Sequence, residues 1–253
     1  MPGNQRRIPR PERARPASDA AGADALLRRR LRAARFRCAI PAGVALPPDE
    51  GAEVAFVGRS NVGKSSAINR LVDQVKLARV ARTPGRTRAL NFFDLDARRR
   101  LVDLPGYGYA KVPEAERRAW AGLVERYLRS RAALRGVVLL MDVRRPLTPL
   151  DQTLLDWAVE MAIPLHVVLT KSDKLSRGAA ASALAATRRA LARDGASLSV
   201  QLMSSLDGSG VDALRRQVGV WLELLDDAAG DAPSPPAGSG QKEAPAQCSG
   251  GKD

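Results

Sequence analysis

Apolar positions along the chain fall into short continuous runs, separated by longer stretches in which they recur every third or fourth residue. The runs are EVAFVG (53–58), ALNFFDL (89–95), RLVDL (100–104), GVVLLMD (136–142), LHVVLT (165–170) and LSVQLMSS (198–205). Four to eight residues is strand length, and a run with little polar alternation is what a strand buried on both faces produces. Helical spacing covers residues 64–73, 114–133, 148–161, 177–193 and 211–225. The order is strand, helix, two strands, helix, then strand and helix in alternation. It predicts an α/β domain: a mostly parallel six-stranded sheet with right-handed crossovers and helices on both faces. In such a sheet ligands collect at the C-terminal ends of the strands, so the loops after the runs are where chemistry is expected.

The ends read differently. Residues 1–34 form a basic arm and residues 228–253 a tail, both rich in Pro, Gly, Ala and charge. Such composition buries too little apolar surface to offset ordering entropy, which predicts disorder on either side of a single domain at 35–227. No window holds the 18 or so apolar residues that cross a bilayer, and the N-terminal arginines are not followed by an apolar leader core. Prolines 9, 11 and 16 and the acids Glu12, Asp19 and Asp24 fit a mitochondrial leader poorly. Cys38 and Cys248 match no metal spacing and make no disulfide framework, so the expectation is a cytoplasmic chain without membrane attachment.

The net charge of +14 is unevenly spread. Residues 1–37 hold eleven arginines against three acids (+8) and residues 226–253 two lysines against five acids (−3), leaving +9 on the centre. Positive charge of that size draws phosphate polymers. A preference for Arg over Lys also follows from genomic base composition, so the charge of the motif-bearing centre is the more informative part.

Four loops carry the chemistry. GRSNVGKSS runs through Gly58, Arg59, Ser60, Asn61, Val62, Gly63, Lys64, Ser65 and Ser66, between a predicted strand and a predicted helix. It fits G-x-x-x-x-G-K-[ST]: backbone N–H groups wrap phosphates, Lys64 meets the β/γ charge, and Ser65 offers a hydroxyl to magnesium. DLPG, at Asp103, Leu104, Pro105 and Gly106, ends the third run. Its carboxylate suits a water-bridged magnesium and the Gly106 N–H a γ-phosphate. TKSD, at Thr170, Lys171, Ser172 and Asp173, ends the fifth. There a carboxylate accepts two hydrogen bonds from guanine that adenine cannot donate, while the Lys171 stem covers the base. MSS, at Met203, Ser204 and Ser205, follows the last run and offers a backbone N–H to the base oxygen. Set in this order, the four loops resemble those of the GTPases, which implies a phosphate-loop NTPase fold with a small G domain. His166 and Trp120, Trp157 and Trp221 fall within predicted strand or helices and read as packing residues.

The spelling of GRSNVGKSSAINRL, TPGRTRALNFF, DLPGYGYAKV, TKSDKL and SSLDGSGVDALR resembles the EngB (YihA/YsxC) family of GTP-binding proteins, within the TrmE-Era-EngA-EngB-septin-like class of GTPases. The resemblance covers residues 35–225. It implies a GTPase that acts in assembly of the large ribosomal subunit, and so in cell growth, division and septation. GTP and GDP would set affinity for a particle of rRNA and ribosomal proteins. It also implies magnesium held by Ser65, Thr87 and, through water, Asp103. Pro84, Gly85, Arg86 and Thr87 would lie in a mobile loop around the nucleotide, and Thr83 competes with Thr87 for the metal.

Tyr107 stands where Ras-like GTPases carry the Gln that orients water, which implies slow hydrolysis by Lys64, Gly106 and Thr87 alone. Asn61 matches a position that holds potassium in related GTPases; it also suits a tight turn. Tyr107 and Tyr109 either sense a partner or pack their own loop. A monomer is expected. Two alternatives stay open: a nucleotide-regulated RNA- or protein-binding switch with negligible hydrolysis, and a related GTPase of transfer-RNA modification.

Overall fold

The computed structural model describes residues 17–78, 89–107, 114–192 and 198–225, without the side chains of 17–20, 114–118 and 120. Seven strands form one sheet: β1 (Arg35–Pro41), β2 (Ala52–Gly58), β3 (Ala89–Asp94), β4 (Arg99–Asp103), β5 (Leu134–Asp142), β6 (Leu165–Thr170) and β7 (Leu198–Leu202). Their order is β1-β3-β4-β2-β5-β6-β7. The five strands from β4 to β7 pair in parallel, and β3 joins β4 and β1 antiparallel. Six helices cover it: α1 (Ala17–Arg32), α2 (Lys64–Leu71), α3 (Glu114–Ser130), α4 (Pro149–Glu160), α5 (Arg177–Ala190) and α6 (Val211–Trp221).

The central runs are mostly apolar because the sheet has a core on each side. Val54 and Phe56 of β2 and Val138 and Leu140 of β5 point into a core with α1, α2 and α6. Their neighbours Ala55, Val57, Val137 and Leu139 point into a second core with α3 and α4. Trp157 packs against one core and Trp221 against the other. His166 is buried between Ser199 and Gln201 of β7, with its ring at 6.5 Å from that of Trp221. The Trp120 side chain lies outside the description.

Two sequence expectations are corrected. The sheet has seven strands, not six. The added strand, RFRCAIP, is an edge strand with buried Cys38 and Ile40 and an exposed Phe36, and a register shift separates Phe36 from Cys38. Its apolar residues are interleaved with arginines, so it lacks a continuous run. The second correction is to the arm at 1–34, whose later half is α1. Leu27 and Leu31, one helical turn apart, are buried. Leu27 rests on Gly219 of α6, where a Cβ would come within 2.7 Å of it. Arg28 pairs with Asp73 and Asp24 with Arg216, fixing the helix to α2 and α6 by its rim. Two leucines among arginines make too narrow an apolar stripe to read without their partner. Residues 1–16 and 226–253 lie outside the described residues.

At the N-terminal end of β2, Glu53 is fully buried. It accepts from the Tyr127 hydroxyl at 2.9 Å, from Arg131 at 2.6 and 2.9 Å and from Arg100 at 3.4 Å. A buried carboxylate needs this degree of pairing. The network ties α3, β4 and β2 together at the edge opposite the motif-bearing loops.

Candidate functional site

Gly58 closes β2 and Lys64 opens α2, so the first motif is the loop between them. Asn61 (φ 63°) and Gly63 (φ 100°) take left-handed backbone. Asn tolerates that region and glycine enters it without cost, which lets the chain turn sharply into the helix. No side chain caps α2. Its first N–H groups therefore have no helical acceptor, and the positive end of the helix faces the loop, an arrangement suited to an anion. Ser65 and Ser66 sit half-buried in the first turn.

The second motif meets the first. Asp103 ends β4 opposite Phe56, and the Lys64 ammonium pairs with its carboxylate. Leu104 continues the pairing, its N–H donating to the Phe56 carbonyl at 2.9 Å. Pro105 and Gly106 then bring the chain over Ser60, where a Cβ on Gly106 would lie 3.2 Å from the Ser60 hydroxyl. Tyr107 is clasped to the phosphate loop: its carbonyl accepts from the Ser60 N–H at 2.7 Å and its N–H donates to the Gly58 carbonyl at 3.4 Å. Its ring is buried, and the hydroxyl donates to Asp151. That carboxylate also accepts from the Thr148 N–H and hydroxyl, at 2.8 and 2.7 Å, where Thr148 caps α4. Burial and the Asp151 charge push the phenol far above its ordinary pKa, so it stays a donor.

The third and fourth motifs converge from β6 and β7. The Thr170 hydroxyl shares its one hydrogen between the carbonyls of Val62 (2.7 Å) and Met141 (3.0 Å), joining the phosphate loop to the sheet. Lys171, itself left-handed at φ 59°, reaches back to the Asn61 carbonyl at 2.7 Å and to Asp142 at 3.1 Å. Ser172 donates its N–H to the Met203 carbonyl. The Ser204 hydroxyl donates to Asp173 at 2.7 Å, and with Lys174 holds the Asp173 pKa below its ordinary value. Arg70 of α2 donates to the carbonyls of Ser205 and Leu206, bracing the last loop. Pro84, Gly85, Arg86 and Thr87, with Thr83 and Tyr109, lie outside the described residues.

Residues from all four motifs thus meet at one edge of the sheet. Sequence reasoning passed over Arg70, Asp151 and the loop after β5, DVRR, although that loop also follows a parallel strand. Asp142 is held well below the carboxylate range, chiefly by the Arg144 guanidinium and then by the Arg144 N–H and Lys171. A cavity of about 440 Å³ is lined by Arg59, Ser60, Asn61, Val62 and Lys171 together with Asp142, Arg144 and Arg145.

For a divalent cation the donors near Lys64 are the Ser65 hydroxyl and the Asp103 carboxylate, both hard oxygens. Among the described residues no cluster of three or more His, Cys, Asp or Glu could hold a metal. That set fits magnesium, which binds through one or two protein oxygens plus substrate phosphates.

The 50S ribosome-binding GTPase family matches residues 53–171. A probable GTP-binding protein EngB of Aromatoleum aromaticum is 56% identical over 205 residues, 81% of this chain and 95% of that protein. Another, of Methylococcus capsulatus, is 58% identical over 179 residues, 70% of this chain and 85% of that protein. The crystal structure of a probable GTP-binding protein EngB superposes with a TM-score of 0.56 at 22% identity, over 70% of this chain and all of that one, which supports the fold. With a sheet and phosphate loop of this form and such identity over most of its length, the chain belongs to the EngB family of GTP-binding proteins.

Proposed function

We propose that the chain is a slow GTPase whose nucleotide state sets its affinity for the large ribosomal subunit during assembly, with consequences for growth and division. The observation that carries this is the convergence of Lys64, Asp103, Asp173 and Ser204 on the edge of the sheet, in a chain of the EngB family. Lys64 and the N–H groups of residues 58–66 bind and orient the phosphates; Asp173 reads guanine; Lys171 covers the base and ties its loop to Asn61. Ser65 and Asp103, with Thr87 from the loop outside the described residues, would hold magnesium, which when bound neutralises charge on the transferring phosphate. Gly106 presents its N–H to the γ-phosphate.

Hydrolysis is slow on this reading because Tyr107 cannot orient water. Its side chain is turned into the core on Asp151. Completion of the site then falls to the particle or to an ion. Asn61 is the candidate potassium ligand, although its left-handed backbone alone accounts for an Asn there. The cytoplasm is the compartment this role requires, and among the described residues no helix is long and apolar enough to cross a membrane. Co-sedimentation with purified large ribosomal subunits in a non-hydrolysable GTP analogue and in GDP tests the proposal. Binding in the analogue that weakens in GDP is expected; equal binding in both removes the switch.

A further inference from the structure

The cavity beside the phosphate loop draws positive charge from outside the four motifs. Its lining holds Arg59, Arg144, Arg145 and Lys171 against the single carboxylate of Asp142. Asp142 is engaged by Arg144, at 2.7 and 2.9 Å, and by Lys171 at 3.1 Å. Arg59 and Arg145 have no ion pair among the described residues, and Arg144 and Arg145 are exposed. Yet the lining includes none of Lys64, Ser65, Asp103 or Gly106, the groups assigned to the triphosphate and its metal. Arg59, Ser60, Asn61, Val62 and Lys171 belong to the nucleotide motifs, so the cavity adjoins the nucleotide site, and the loop after β5 adds to it two guanidinium groups that none of the four motifs supplies.

We infer that this cavity docks a backbone phosphate of the RNA in the particle on the guanidinium group of Arg145, with Arg59 and the Asp142-paired Arg144 lining the same cavity; the inference rests on the ribosomal reading above. Guanidinium presents a planar fork of N–H donors that matches phosphate oxygens two at a time, and it gives up its hydration more readily than an ammonium group. The net charge of +14 favours a polyanion over a small acidic ligand, because each further phosphate along the strand finds positive potential nearby. RNA held here sits against the same loop whose Asn61 carbonyl is gripped by Lys171, next to the residues proposed for the phosphates and base. Backbone contact carries no sequence information, so the site positions the particle and leaves selectivity to other surfaces.

The test is equilibrium binding of the full chain to purified large ribosomal subunits over a range of salt, for wild type, Arg145→Ala, Arg145→Glu and a charge-matched control, Arg189→Ala on the exposed face of α5. Affinity for a fluorescent GDP reports that each variant is folded. Loss of one phosphate contact in Arg145→Ala should weaken binding at low salt and reduce the slope of log K against log salt by about one. Arg145→Glu should weaken it further, and Arg189→Ala should leave the slope unchanged. If wild type fails to bind the particle, the ribosomal reading falls and this inference with it. If wild type binds and Arg145→Glu binds equally, only the docking site is wrong. A slope lowered as much by Arg189→Ala means attraction spread over the surface, and weaker binding at an unchanged slope means a protein contact; either result overturns the assignment.

Discussion

The Tyr107 hydroxyl donates to a carboxylate inside the core, so the side chain that follows Gly106 is a structural tie and leaves no group there to handle water. Sequence showed the missing Gln but not the destination of the ring, because Asp151 is 44 residues away and nothing in the sequence pairs the two. Asp173 was legible from its place after a strand; the Ser204 hydroxyl that orients it was not. Asp173→Asn exchanges a charged acceptor for an amide that cannot accept both guanine donors. The expected result is a loss of roughly tenfold to a hundredfold in preference for GTP over ATP in competition binding; unchanged preference contradicts the assignment. His166 gives a pH prediction. Burial holds its pKa below the ordinary 6.5, so once pH falls through about 6.5 the unfolded chain binds a proton that the folded chain resists. Stability should therefore be lost on going from about pH 7.5 to about pH 5.5, and less so in His166→Gln. Carboxylates with lowered pKa values titrate below that window. Identical urea midpoints for the two proteins at both pH values would show that His166 does not carry the effect.

Among the elements, those buried on both faces were plain in the sequence, since a two-sided core leaves few polar positions to obscure the run. The elements at the margins were not. β1 has one exposed edge and a bulge, and α1 has a two-leucine stripe whose partner, Gly219, is far along the chain. Their burial argues that α1 is part of the domain and not a free arm. Leu31→Ala should then cost roughly 2–5 kcal/mol in denaturant unfolding, the usual range for a buried leucine. A loss within a few tenths would mean that the helix is not held on the fold. The loop after β5 was overlooked for a different reason: arginines in a short DVRR segment read as solvated charge until the cavity they line is seen.

At the scale of the whole molecule, a parallel sheet gathers loops from β2, β4, β5, β6 and β7 at one edge, while the buried Glu53 network stabilises the opposite edge. The residues proposed for phosphate, metal and base therefore share one support, and the central positive charge lies on the domain that carries them. On the proposed reading, hydrolysis there would rest on positioning and charge stabilisation, and residue 107 supplies no water-orienting side chain. GTP turnover by the purified full chain in sodium and in potassium buffer, each with and without purified large ribosomal subunits, tests this most directly. The account predicts slow turnover in sodium alone and a rise of at least roughly tenfold when the particle or potassium completes the site; fast turnover in sodium alone, or no rise with either, would contradict it.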